Sequence, residues 1–165
     1  MTKFAIGQDS HAFEKGETKK YAKPLILGGV TFENEPSLSA NSDGDVVLHA
    51  LTNAVSGITC RNILGKIADN MCKNMGITDS AEYLKVALAD LDAQNCKITH
   101  ISFTIEALTP KFASKIDKMR ETIGELCGIP AGEVGITATT GEGLTAFGKG
   151  EGIMVFCVIT VEDNL

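Results

Sequence analysis

The chain has no apolar stretch that could cross a bilayer: its longest run, Ile153 to Ile159, falls far short of the roughly 20 residues a membrane helix needs. Its first residues, Met-Thr-Lys-Phe-Ala-Ile-Gly-Gln-Asp, carry neither an apolar core nor a cleavage signature, so export is not expected. No C-x-x-C pair occurs among the 5 cysteines, Cys60, Cys72, Cys96, Cys127 and Cys157. Their odd number and scatter argue against a disulfide framework or a thiolate zinc site. Cys157 lies in an apolar strand and Cys127 at a helix end, as small core residues do, and the expected setting is a reducing cytoplasm. Positive charge is also in deficit. A formal net charge of -6 argues against nucleic acid or an anionic membrane as partner. An anionic substrate would have to be met locally, by a metal, helix N-termini or a few placed lysines.

What is present is an ordinary globular composition, 44% hydrophobic and 22% charged over 165 residues, enough for a single domain spanning 1–165. Histidine is scarce, with 3 in all, yet two of them stand in settings suited to a metal. Asp9-Ser10-His11 places a carboxylate and an imidazole two residues apart in an extended run, so both point to one face. His49 lies about two turns into a helix that opens at Ser42-Asp43-Gly44-Asp45. One carboxylate and two neutral imidazoles form the donor set of a catalytic zinc site, with a fourth position left for substrate. The same two imidazoles and a carboxylate also suit a non-haem iron oxygenase, although no jelly-roll strand pattern accompanies them.

The pattern predicts strands at Phe4–Gly7 and Leu25–Phe32, joined by a polar, lysine-rich stretch over 14–20. A strongly apolar helix follows from Asp43 to about Ile58, with Ser42 as N-cap and Asp45 completing a capping box or orienting His49. Residues 60–79 have weak periodicity and read as partly helical or loop. Ser80–Asn95 returns to helix, capped at Asp79 or Ser80. Ile101–Ala107 alternates as a half-buried strand. Phe112, Ile116, Met119, Ile123 and Leu126 mark a helix stopped by Gly128 and Pro130. Strands are expected again at Val134–Thr139 and Ile153–Val161. The expected class is α+β, a mostly antiparallel or mixed sheet with helices on one face.

Three further segments are rich in groups that phosphates bind. Ala138-Thr139-Thr140-Gly141-Glu142-Gly143-Leu144 leaves a strand with hydroxyls, amides and a carboxylate. Gly148-Lys149-Gly150-Glu151-Gly152 is a glycine-spaced turn with both signs of charge. Thr109-Pro110-Lys111 ends a strand and is expected to open a helix, beside free N–H groups.

In this order, with Asp9-Ser10-His11-Ala12-Phe13, Ile26-Leu27-Gly28-Gly29-Val30 and Ser42-Asp43-Gly44-Asp45-Val46-Val47-Leu48-His49-Ala50-Leu51, these segments resemble the 2-C-methyl-D-erythritol 2,4-cyclodiphosphate synthase family over nearly the whole chain. The resemblance implies a homotrimer with active sites at subunit interfaces. It implies zinc, or another divalent transition metal, on Asp9, His11 and His49, and Mg²⁺ or Mn²⁺ near Glu142 with the substrate diphosphate. A cytidine pocket would come from Ala107, Leu108, Thr109, Pro110 and Lys111 with Thr139, Thr140 and Gly141 of the neighbouring subunit. Ser10, Asn41, Ser42, Gly65, Asn70 and Lys149 complete the implied substrate contacts, with Asn41 and Thr140 in catalytic positions. The implied reaction belongs to non-mevalonate isoprenoid biosynthesis: a 2-phosphate attacks the β-phosphorus of a cytidine diphosphate ester of methylerythritol, CMP leaves and a cyclic diphosphate forms. That chemistry asks mainly for positioning and charge neutralisation, and amides from Ser42 to Gly44 are candidates for part of it.

Four positions depart from the family pattern. Asn41 stands where a histidine is usual, Asn53 where an aspartate is usual, and Lys149 replaces an arginine without its bidentate fork. The methylerythritol-facing loop, Asn62-Ile63-Leu64-Gly65 and Ala68-Asp69-Asn70-Met71-Cys72-Lys73, has lost most of its carboxylates. A catalytically weak or inactive paralogue that retains metal and nucleotide binding is the alternative these changes leave open.

Overall fold

The computed structural model of the chain describes residues 1–163. Its main sheet has four strands in the order β1-β6-β4-β5, where β1 is Thr2–Ala12, β4 is Cys96–Glu106, β5 is Val134–Thr139 and β6 is Gly152–Asp163. β6 pairs antiparallel with both β1 and β4, while β5 lies parallel to β4, so the sheet is mixed. Alternation decides which side faces inward: Val155, Cys157, Ile159 and Val161 of β6 are fully buried, and the residues between them are not. On β4 both Ile98 and Ile101 point inward although they differ in parity. A bulge between Ile98 and His100 resets the register and makes this possible.

Helices cover the inner face only. α1 (Val46–Thr59) is buried almost all round because it lies between the sheet and α3 (Ser80–Ala93). α2 (Lys66–Met75) is peripheral, with Ala68 its single buried residue. α4 (Ile116–Cys127) packs beside β5 and ends at Gly128 in the left-handed conformation. A small hairpin, β2 (Leu25–Leu27) and β3 (Val30–Phe32), turns through Gly28 and Gly29 at φ 61° and 74°, as a tight two-residue hairpin turn requires.

The α+β class follows the sequence pattern, but several boundaries do not. β1 runs on through Asp9 and His11 rather than stopping at Gly7, because its pairing with β6 continues to Ala12↔Gly152. Leu25–Phe32 is a hairpin and not one strand. α1 begins at Val46 with Asp45, not Ser42, as its N-cap; the Asp45 carboxylate accepts from the Leu48 amide. α4 starts at Ile116, so Lys111 does not stand at a helix N-terminus.

A close approach fixes α1 against β1. A Cβ on Gly7 would lie 2.1 Å from the Ala50 carbonyl oxygen and 2.3 Å from the Ala54 amide nitrogen. Only glycine lets the two backbones meet there, one residue from His49 on α1 and two from Asp9 on β1.

Candidate metal centre and nucleotide cleft

Asp9 and His11 project from one face of β1, and His49, in the first turn of α1, comes down onto the same face. Asp9 Oδ2 lies 3.1 Å from His11 Nε2 and 3.1 Å from His49 Nδ1. The two ring nitrogens are themselves 3.1 Å apart. Among the described residues this trio forms a group able to hold a metal, with donor atoms within 4.8 Å of one another. Ligands about 2 Å from a tetrahedral centre stand roughly 3.3 Å apart, so the spacing suits a small divalent ion. The donor types agree: imidazole and carboxylate are common zinc ligands.

The surroundings fix the donors. His11 Nδ1 faces the Ser39 carbonyl oxygen at 3.2 Å. A carbonyl only accepts, so Nδ1 carries the proton and the Nε2 lone pair is turned to Asp9 and His49. His49 Nε2 lies 2.8 Å from Ser80 Oγ. Burial alone would raise the Asp9 carboxyl, but His11 and His49, when protonated in the metal-free protein, donate to it and bring positive charge, which together outweigh burial and hold it well below the usual carboxylate range. Asp9 is therefore a carboxylate ready to coordinate.

Asp45 does not orient His49. Its oxygens accept from the Gly28 amide at 2.8 Å, the Gly29 amide at 2.7 Å and the Leu48 amide at 3.0 Å, pinning the hairpin turn to the start of α1. Desolvation raises its carboxyl to about 6 despite those bonds.

The trio opens into a cleft of about 340 Å³ lined also by Ala40, Asn41, Ser42, Asn53, Leu64, Gly65, Ala68, Asp69, Cys72 and Tyr83. Asn41, Ser42 and Gly65 thus stand with the metal ligands. Asn70 does not line the cleft, since Asp69 takes the inward position on α2. Ser10 is exposed on the opposite side of β1 from its neighbours Asp9 and His11. Asn53 donates to the Gln8 carbonyl at 3.0 Å, a bond that an aspartate there could not make.

The Asn41–Ser42 segment is held from behind. Lys23 Nζ donates to the carbonyls of Ala40 and Ser42, at 2.7 Å each. Two of the amides expected to serve the substrate, in the stretch from Ser42 to Gly44, are spent within the protein: Asp43 N–H on the Thr78 carbonyl and Gly44 N–H on Ser42 Oγ. Nothing in the sequence marks Lys23, whose role depends on a loop 17 residues away folding back over it.

A second cleft is lined by Ala107, Leu108, Pro110, Lys111, Phe112, Ala113, Ile116, Ala138, Thr139 and Thr140. It gathers most of the expected nucleotide contacts and shares no residue with the first. Thr109 is turned away, its hydroxyl donating to Glu35 Oε2 at 3.1 Å. Gly141, Glu142 and Lys149 line neither cleft of the single subunit, and Glu142 does not join the Asp9–His11–His49 group.

The sequence pattern of the YgbB family matches residues 2–162, covering both clefts and the metal-ligand trio. The chain belongs to the YgbB family. It is 51% identical over 158 residues to the 2-C-methyl-D-erythritol 2,4-cyclodiphosphate synthase of Chlamydia caviae, covering 96% of this chain and 88% of that one. It is 52% identical to the Chlamydia muridarum synthase, over 94% of this chain and 85% of that protein. Among solved structures it superposes on the bifunctional IspDF of Campylobacter jejuni with a TM-score of 0.85 at 27% identity, covering 98% of this chain and 42% of that longer one. A cyclodiphosphate synthase in a CDP-bound form matches with a TM-score of 0.76 at 25% identity, over 97% of this chain and 100% of the other.

Proposed function

We propose that the chain is a metal-dependent phosphorus–oxygen lyase that converts 4-CDP-2-C-methyl-D-erythritol 2-phosphate to 2-C-methyl-D-erythritol 2,4-cyclodiphosphate and CMP, with residues 1–165 as one domain. The observation that carries this reading is the convergence of Asp9 Oδ2, His11 Nε2 and His49 Nδ1 at the floor of a cleft rimmed by Asn41 and Ser42. About half of this chain's residues are identical to those of synthases that carry out this reaction by name.

Asp9, His11 and His49 would hold zinc or another divalent transition ion, which when bound supplies Lewis acidity toward a diphosphate oxygen. Asn41 donates to the phosphate oxygens through its side-chain amide, without the charge a histidine would bring. Lys23 keeps the Asn41–Ser42 backbone in place. The second cleft takes the cytidine end, with Lys111 near the phosphates and the Thr139 and Thr140 hydroxyls as donors. Glu142 and Lys149, which line neither cleft of a single subunit, would meet the diphosphate where two subunits join, the carboxylate being suited to Mg²⁺ or Mn²⁺. No protein nucleophile is needed, because the attacking phosphate and the leaving CMP belong to one bound molecule.

Two separate clefts in one subunit favour a homotrimer in which each active site joins the metal cleft of one chain to the nucleotide cleft of its neighbour. The outer sheet face supports such an assembly. Phe4 and Ile6 are 80% and 63% exposed, and Phe156 and Val158 stand beside them across the β1–β6 ladder. An apolar face of this kind on an otherwise charged protein calls for cover. The five free cysteines fit a reducing cytoplasm, and among the described residues no helix is long and apolar enough to cross a membrane.

The test is incubation of the purified protein with the cytidyl substrate, Zn²⁺ and Mg²⁺, followed by phosphorus NMR. CMP and a cyclic diphosphate are expected, both lost in His49→Ala. Tight metal and CDP binding without turnover would refute the enzyme reading in favour of a non-catalytic binder.

A further inference from the structure

His49 can bind a metal through Nδ1 only if the ring's proton sits on Nε2, and the contacts behind the ring determine where it sits. We propose that Ser80 is a positioning residue for His49: anchored by Asp43, its hydroxyl oxygen holds the imidazole as the Nε2–H tautomer, with the Nδ1 lone pair turned toward Asp9 and His11. This rests on the reading of the trio as a metal site.

Proton counting leads to it. Ser80 Oγ touches two partners, His49 Nε2 at 2.8 Å and Asp43 Oδ1. A hydroxyl has one proton to give, and a carboxylate can only accept. The Ser80 proton therefore goes to Asp43, and Ser80 Oγ is left to accept from His49 Nε2–H. The opposite arrangement would set the hydroxyl oxygen against the Asp43 oxygen with no proton between them, where Ser80 is 0% exposed and water cannot intervene. With Nε2 committed as donor, a neutral ring has its lone pair on Nδ1, the atom 3.1 Å from Asp9 Oδ2.

The anchor is itself fixed. Asp43 also accepts from the Ser80 amide at 3.0 Å and from the Asp45 amide at 3.0 Å, and its own amide donates to the Thr78 carbonyl. Ser80 is the first residue of α3, capped by Asp79, whose side chain accepts from the Ala81 amide. The start of α3, the segment carrying Asn41 and Ser42, and the ligand ring of His49 are thus stitched together at one hydroxyl. Asp45 cannot share the task, its oxygens being taken by three backbone amides.

The experiment compares wild type, Ser80→Ala and Ser80→Thr by two readouts: the His49 tautomer in metal-free, ¹⁵N-histidine-labelled protein, and Zn²⁺ affinity by calorimetry. Wild type, read at a pH where the ring is neutral, should show His49 as Nε2–H. Ser80→Ala should show mixed tautomers and bind Zn²⁺ about 10–100-fold more weakly, the usual cost of losing a hydrogen-bond partner behind a metal ligand. Ser80→Thr, which keeps the hydroxyl, should recover both. A folded Ser80→Ala with the wild-type tautomer and affinity would overturn the proposal, as would a neutral wild-type His49 ring with its proton on Nδ1. The wild-type tautomer is read without any substitution, so the proposal stays testable even if Ser80→Ala fails to fold. A wild-type protein that takes up no divalent ion would overturn the metal reading. In that event a tautomer shift in Ser80→Ala still supports the lock, and its absence overturns it.

Discussion

Replacing Gly7 with alanine should push α1 off β1 and pull the metal ligands apart. The new Cβ would sit 2.1 Å from the Ala50 carbonyl oxygen and 2.3 Å from the Ala54 amide nitrogen, where ordinary contact begins near 3.4 Å. Both obstacles are backbone, so no side chain can rotate aside, and the helix has to retreat by roughly 1 Å in a close-packed interior. Over-packing that displaces backbone reaches the upper end of its range, about 3 kcal/mol. For a domain of this size that corresponds to a Tm roughly 6–12 °C lower. The same retreat carries His49, next to Ala50, away from Asp9, opening a contact now at 3.1 Å. Thermal unfolding of the metal-free protein reads the first effect and Zn²⁺ titration the second. Gly57→Ala is the control: its Cβ would meet the Ala5 methyl at 3.2 Å and the Ile6 carbonyl oxygen at an ordinary 3.9 Å, and a helical Gly→Ala change gains roughly 1 kcal/mol, so the net effect should be small. A Gly7→Ala protein that melts and binds Zn²⁺ like wild type would refute the argument that this glycine sets the helix–strand distance.

Three other outcomes follow from the same contacts. Burial raises the Asp45 carboxyl from 3.8 to about 6, so its contribution to stability is full below about pH 4 and is lost as pH rises through 6, on the order of 3 kcal/mol. The urea midpoint of wild type should therefore fall more steeply between pH 4.5 and 7 than that of Asp45→Asn; parallel curves would contradict this. Lys23→Met should raise KM for the cytidyl substrate while leaving Zn²⁺ affinity unchanged, because Lys23 braces the Asn41–Ser42 segment and not the ligands; an unchanged KM would remove it from the site. Burial pushes the Cys127 thiol up to about 12 and the Cys157 thiol well above its ordinary value. Alkylation at pH 8 should label exposed Cys60 first and reach Cys127 and Cys157 only after denaturation, and mass spectrometry of the adducts would show any departure.

The sequence by itself determined the class of the fold, the ligand trio and the family. Alternation in Val134–Thr139 and Ile153–Val161 is a local signal, because a strand's period of two is written in consecutive residues. Asp9 and His11 were legible as a pair for the same reason, standing two apart on a strand. Of the glycine- and threonine-rich segments, Ala138, Thr139 and Thr140 line the second cleft, while Gly141, Glu142 and Lys149 line neither, because only the first three lie on the side of the chain that meets Ala107–Ile116. Tertiary structure decided what depends on residues meeting from far apart. The capping position moved from Ser42 to Asp45 because the Gly28–Gly29 turn came within reach of the Asp45 carboxylate. β1 grew past Gly7 because β6 was there to pair with it. Ser80 and Lys23 have no sequence signature at all, since a serine at a helix start and a lysine before a proline are common. Their roles arise only once α3 brings a hydroxyl behind His49, 31 residues away, and the Ala40–Ser42 loop turns its carbonyls onto an ammonium group. A hydrogen bond of this kind depends on distance and direction in space, and neither is encoded at a fixed spacing along the chain.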